Sequence, residues 1–225
     1  MVMARLTLRV SPIFRSKPPK ELHVKTDVIL FKARIKPTRV GQLNEATLQS
    51  LMGETIAGSR IGADADVSPD SKRLLCHAYV RLEKVAKIGN KQRMAWEKAW
   101  KKLTGDKQAS VSRLTTTLEC AGASSGEPPA ALYVVETDTD QGWFDEISAW
   151  YDSEHMPGLA AVNGTVHTVR FLNADHQPRS VACYDLTHAT VMGSDPWLAV
   201  RGSPWSDHCR PHFKNTLRTM FQVIG

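Results

Sequence analysis

The residues best equipped for chemistry fall in one stretch, Trp143 to Val162, which reads WFDEISAWYDSEHMPGLAAV. Wound as a helix at about 100° per residue, it brings Trp143, Phe144, Ile147, Trp150 and Tyr151 onto one broad arc. Asp145, Glu146, Asp152 and Ser153 fall outside that arc, and Glu154 and His155 land on it. A bare buried charge is costly, so these two must be paired, hydrogen-bonded or neutralised. Pro157 and Gly158 are expected to stop the helix one turn on. A neutral imidazole is a base at neutral pH, which makes His155 the candidate general base. Glu154 is a neighbouring acid, but about 100° round the helix from His155, so a further group is needed. Tyr151, one turn earlier, is one candidate. Arg170, on a later strand, is another, holding a developing oxyanion. The structural alternative for Arg170 is a salt bridge to Asp185. Trp150, Trp197 and Trp205 would supply flat walls for an aromatic ligand. His208 and His212 are further candidate substrate contacts. They are four apart, yet Pro211 intervenes and no carboxylate completes a zinc pattern, so no metal site is expected.

These side chains need a scaffold, and the chain supplies one twice. Val28–Ile35 reads as a strand, 40–56 as a helix, 60–67 as a weak strand closed by Ser68-Pro69-Asp70-Ser71, and 73–82 as a stronger strand. Asn90 opens a helix carrying Trp96, Trp100 and Leu103, Gly105 ends it, and 110–120 is a strand. Residues 121–129 (AGASSGEPP) form a Gly/Ser/Pro linker. Strand 130–136, the aromatic helix, strands 165–172 and 180–186, a broken helical stretch over 196–213 and strand 216–224 repeat the β-α-β-β-α-β order. The expected fold is α+β. Two ferredoxin-like modules, 27–120 and 130–225, follow an N-terminal arm over 1–26. Each sheet would have one face under helices and one bare face. The two bare faces would pack together, and the space between sheet and helices would take a ligand. Exposed sheet edges leave a homodimer open as well.

Composition narrows the function. The chain has 225 residues, 42% hydrophobic and 23% charged, as in ordinary globular proteins. No apolar run approaches the roughly 20 residues of a membrane helix, and the first residues lack a signal peptide's apolar core. Four scattered cysteines without a Cys-x-x-Cys pair point to a reduced, cytoplasmic protein without structural zinc. Residues 1–125 hold 23 Lys and Arg against 11 Asp and Glu, whereas 126–225 hold 6 against 12. The two halves can therefore attract each other. No nucleic-acid motif accompanies the basic half, and strand 73–82 lacks the glycine and paired aromatics of an RNA-recognition module.

The second half resembles the dimeric α/β barrel superfamily, in particular its EthD-like and related stress-responsive-type members. Three segments carry the resemblance: Trp150 to Pro157 (WYDSEHMP), Val162-Asn163-Gly164 with the strand ending Arg170-Phe171, and Arg201 to Asp207 continuing through Arg210 to Phe213. The first half resembles the superfamily only in element order. It has Gln49 to Gly53 where the second has Glu-His-x-Pro, so it reads as a built-in dimer partner without a site. The resemblance implies a small pocket over the sheet, with His155 as its base or ligand. Three functions follow. The first is a cofactor-independent enzyme of isomerase, lyase, cyclase or monooxygenase type, acting on a hydrophobic carbonyl- or phenol-bearing molecule. The second is a haem protein with a histidine axial ligand, and the third a non-catalytic binding or assembly module.

Overall fold

The computed structural model describes residues 24–64 and 72–224. Residues 1–23 of the arm read over 1–26 lie outside them, as does the Ser68–Ser71 turn; residues 24–26 are not arm but the start of a strand that pairs with residues 86–88. The first module runs β1 (Val24–Ile35), α1 (Glu45–Met52), β2 (Ile56–Asp64), β3 (Leu74–Ile88), α2 (Asn90–Thr104) and β4 (Ser110–Ala121). The second begins with β5 (Ala131–Thr139), α3 (Phe144–Trp150), a π-helical turn (Tyr151–His155) and α4 (Met156–Ala160). It continues with β6 (Thr165–Asn173), β7 (Ser180–Leu186), α5 (Asp195–Arg201), α6 (Pro204–Cys209) and β8 (Phe213–Ile224).

The eight strands close into one barrel in the order β1-β3-β2-β8-β5-β7-β6-β4. Within each module the order is that of a split βαβ unit. The two sheets do more than stack, because each module's outer strand pairs with the other's. Ile61 to Asp64 of β2 run against Ile224 to Phe221 of β8, and β4 runs against β6 from Leu114–Asn173 to Ala121–His167. Closure leaves no free edge among these strands, so a second chain would have to dock on another surface.

Strand alternation divides the interior into three cores. All seven residues of β7 are buried. Val181 and Cys183 turn into the barrel with Val28, Leu30, Tyr79, Phe171 and Phe221, while Ala182, Tyr184 and Leu186 face the helices. Under the first module's helices, Leu48, Met52, Trp96 and Trp100 fill the space against β1 and β3. The Nε1–H of Trp100 donates to the Lys32 carbonyl and that of Trp96 to the Met52 carbonyl, each at 3.0 Å. Burying an aromatic of this size contributes about 2–3 kcal/mol.

Three readings of local structure change. The helix expected over 40–56 is a 3-10 turn (Pro37–Gln42) followed by α1. The Asn44 side chain accepts from Thr47 N at 2.9 Å, and this cap sets the helix start. The segment 121–129 is held in place, with Gly122 N–H donating to the Val166 carbonyl and Ser124 N–H to the Thr165 carbonyl. A Cβ on Gly122 would collide with the Thr165 carbonyl. Finally, Pro157 and Gly158 do not end the helix. The wide π turn carries Met156 N–H back to the Tyr151 carbonyl, which absorbs the missing N–H and bulk of Pro157. At Gly158, a Cβ would sit 2.8 Å from Val200 Cγ1, so this glycine lets α4 approach α5.

Candidate functional site

In the second module the space between sheet and helices is not filled. A cavity of about 330 Å³ lies there, at the small end of ligand sites. Its floor comes from the helix-facing side of three strands: Tyr133 and Val135 of β5, Tyr184 of β7, and Arg218 and Met220 of β8. Its walls are Trp150, Tyr151, His155, Leu159, Trp197 and Arg201 from the helices and Arg210 from the turn after α6.

His155 is the chemical centre of this wall. Its ring lies on the Trp150 indole, with centroids 4.2 Å apart and planes at 24°, and meets the Tyr151 ring edge-on at 5.5 Å. The residue is only 8% exposed. Nδ1 is buried without a hydrogen-bond partner, so the surface that remains belongs to the cavity side of the ring. Burial above all, then the charges of Arg210 and Arg201, pushes its pKa down to about 3. His155 is therefore neutral at physiological pH. No acceptor pins a proton on Nδ1, so the tautomer is set by what enters the cavity.

The tyrosines are uncharged as well. Burial raises the pKa values of Tyr151 and Tyr184. It raises that of Tyr133 too, against the opposing charges of Arg218, Arg201 and Arg210. The Tyr184 hydroxyl is buried without a partner.

The structure thus brings together His155, Tyr151, Trp150 and Trp197 of the residues singled out from the sequence, and places the others elsewhere. Glu154 turns away from the cavity and accepts a short hydrogen bond from Ser203 Oγ, which also caps α6 by accepting from Ser206 N. Arg170 lies behind Tyr151. Its guanidinium stacks 4.9 Å from the Tyr151 ring centroid and donates to Ser148 Oγ at 2.9 Å. It does not meet Asp185, because Arg170 pairs in register with Ala182 and Asp185 points to the other face. Asp185 instead holds Arg60 at 3.0 Å. Trp205 Nε1–H donates to Glu146 at 2.8 Å outside the cavity. His208 and His212 both pack on Trp143, His212 stacked at 3.4 Å, and His212 also contacts Asp140 at 3.2 Å.

Sequence reasoning missed Tyr133, Tyr184, Arg201, Arg210 and Arg218. Two signals were there. Arg201 follows Trp197 by one helical turn, and Arg218 shares a strand face with Met220.

A second cavity, of about 270 Å³, opens into the barrel over Tyr79, Phe171 and Cys183. Its charged rim is self-neutralised: Arg60 pairs with Asp185, and Arg81 and His167 pair with Glu119 at 2.8 and 2.9 Å. The His155 cavity has cations on its wall and no carboxylate.

The sequence matches no family model and no curated protein. The fold has solved counterparts. A protein described as a proposed monooxygenase of Fusobacterium nucleatum superposes with a TM-score of 0.57 at 11% identity, over 89% of this chain and 93% of that one. An anthrone oxidase-like protein gives 0.53 at 14% identity, over 91% and 94%. A chlorite dismutase of Candidatus Nitrospira defluvii gives 0.56 at 8% identity, over 89% and 92%. The chain therefore has the dimeric α/β barrel fold, built from two ferredoxin-like modules in one polypeptide. The EthD-like likeness stays a resemblance of sequence. Among the described residues, no helix is long and apolar enough to cross a membrane.

Proposed function

We propose that the protein is an enzyme acting on a small aromatic molecule by proton transfer in the His155 cavity. One observation carries the reading: a neutral, partnerless imidazole on the wall of an aromatic cavity lined by arginines. A C–H next to a carbonyl, or a phenol O–H, gives its proton to the cavity-facing nitrogen of His155. The electron pair moves onto oxygen, and the positive wall stabilises that oxyanion. Return of the proton to a different carbon completes an isomerisation with no other reactant. Trp150 and Trp197 orient the substrate, and the low-polarity surroundings strengthen each charge interaction.

A haem with a histidine axial ligand finds less support. A metal-bound histidine normally donates its other ring N–H to an acceptor, and Nδ1 of His155 has none. A passive binding module would not need the partnerless His155.

The test is incorporation of carbon-bound deuterium from heavy water into a panel of aryl ketones and phenols, 2-tetralone among them. The expected result is catalysed exchange that falls about 100-fold or more in His155→Gln, the scale of general-base catalysis. Exchange at the uncatalysed rate across the panel, or undiminished in His155→Gln, overturns the reading.

A further inference from the structure

Residues 126–225 contain only six lysines and arginines against twelve acids, yet three of the six, Arg201, Arg210 and Arg218, line one cavity. They arrive from three different elements: the last turn of α5, the turn after α6, and β8. Among the described residues, none of the three makes an ion pair with a carboxylate within 4 Å, although ion pairs of that kind hold Arg60, Arg81, Arg93, Arg113 and Arg170. A cation in the last turn of a helix is favourable in its own right, which accounts for Arg201 but not for the other two. The crowding is felt at Arg210, where burial and then the charges of Arg201 and Arg218 lower the pKa, with Asp207 in partial opposition. Arg201 and Arg218 are exposed and Arg210 is half-buried, so water screens part of this repulsion; the cavity wall still carries no negative charge, and an oxyanion that exists only during the reaction supplies none to the resting complex.

We propose that Arg201, Arg210 and Arg218 form a receptor for a permanent carboxylate on an aromatic substrate, whose ring lies between Trp150, Trp197 and the tyrosines. The inference rests on the enzyme reading above and specifies its substrate class. Guanidinium groups suit it, since they offer planar, paired donors to a carboxylate. The receptor also bears on the base. Burial weakens His155 as a proton acceptor most, and Arg210 and Arg201 add to it; a bound carboxylate offsets part of their field and leaves the wall net positive for the oxyanion. The titratable groups lining the cavity with His155 are Arg201, Arg210, Arg218, Tyr133, Tyr151 and Tyr184; no carboxylate is among them, and Asp207, outside the lining, offsets Arg210 only in part. The imidazole therefore gains basicity when the substrate's anionic end is seated.

The experiment is calorimetric titration of the full chain with 2-naphthoate and with its neutral counterpart 2-naphthamide, at low and at high ionic strength. Naphthoate is expected to bind about tenfold or more tightly, with the advantage shrinking as salt rises. Arg210→Gln and Arg218→Gln should each reduce naphthoate affinity by about tenfold and leave naphthamide within about twofold. Thermal midpoints no lower than that of the unsubstituted chain would show that both variants fold. Equal affinity for the two probes, binding of neither, or a preference that survives both arginine changes overturns the receptor. His155→Gln should keep the preference while losing exchange activity. In the unsubstituted chain, absence of the naphthoate preference with exchange present would therefore overturn the receptor alone, and a naphthoate preference without exchange would overturn the base alone.

Discussion

His155 lies flat on Trp150, with ring centroids 4.2 Å apart and planes at 24°. Trp150 is itself 1% exposed and sits in the core under the second module's helices. The imidazole is thus fixed by stacking against the core rather than by a hydrogen bond: Nδ1 is sealed, and the surface that the ring keeps faces the cavity. Leaving a nitrogen sealed and unsatisfied costs about 1–3 kcal/mol, and the Trp150 Nε1–H and Tyr184 hydroxyl beside the same cavity are sealed in the same way.

That cost gives a stability prediction. His155→Leu removes the unsatisfied Nδ1 and keeps an apolar side chain on Trp150. We expect it to unfold at equal or higher urea concentration, a gain of up to about 1 kcal/mol, while exchange activity is lost. Equilibrium urea unfolding measures the first and the deuterium assay the second.

The pKa of His155 predicts acid sensitivity. The folded value is about 3 against an ordinary 6.5. Below pH 6.5 the unfolded chain takes up a proton that the folded chain refuses. Stability therefore falls as pH drops from about 6.5 toward 3, by on the order of 4 kcal/mol for this group. His77, buried in the barrel with a lowered pKa, acts in the same direction. Urea midpoints across that range should show the fall, and His155→Leu should lessen its slope.

Arg170 is expected to act through structure. It is 2% exposed, bonds Ser148, and reaches Ser180 at 3.3 Å and Asp152 at 3.4 Å. Arg170→Met leaves those groups unpaired and should cost about 3 kcal/mol. Activity per folded molecule should fall far less than in His155→Gln, which chemical denaturation together with specific activity would resolve.

Gly158 predicts a rescue. A Cβ there meets Val200 Cγ1 at 2.8 Å, so Gly158→Ala should push α4 from α5 and destabilise by about 1–3 kcal/mol. Val200→Ala in the same chain should recover most of that loss. A thermal-denaturation double-mutant cycle reads the coupling.

The strand order was legible because alternation and turn residues mark each strand, and the filled first module was legible through Trp96 and Trp100. His155 was legible as an ionisable group in an apolar stripe. Its neighbour Glu154 was not, because uniform winding cannot foresee the π turn at Tyr151–His155, which shifts the phase of the helix within one turn. Arg170 has the right strand face, yet whether it enters the cavity or sits behind Tyr151 depends on side-chain packing. The convergence of Arg201, Arg210 and Arg218 is a tertiary fact. Each follows a local rule, and only the seating of α5 and the turn after α6 over β5 and β8 brings them to one cavity.

On the proposed function, small molecules act at His155 and not in the barrel. The most direct measurement is the set of proton–proton nuclear Overhauser contacts between bound 2-naphthoate and the protein's aromatic rings. Contacts to the ring protons of His155, Trp150 and Trp197 are the predicted result. Contacts to Tyr79 and Phe171 in the barrel cavity, with none to His155, would contradict the account.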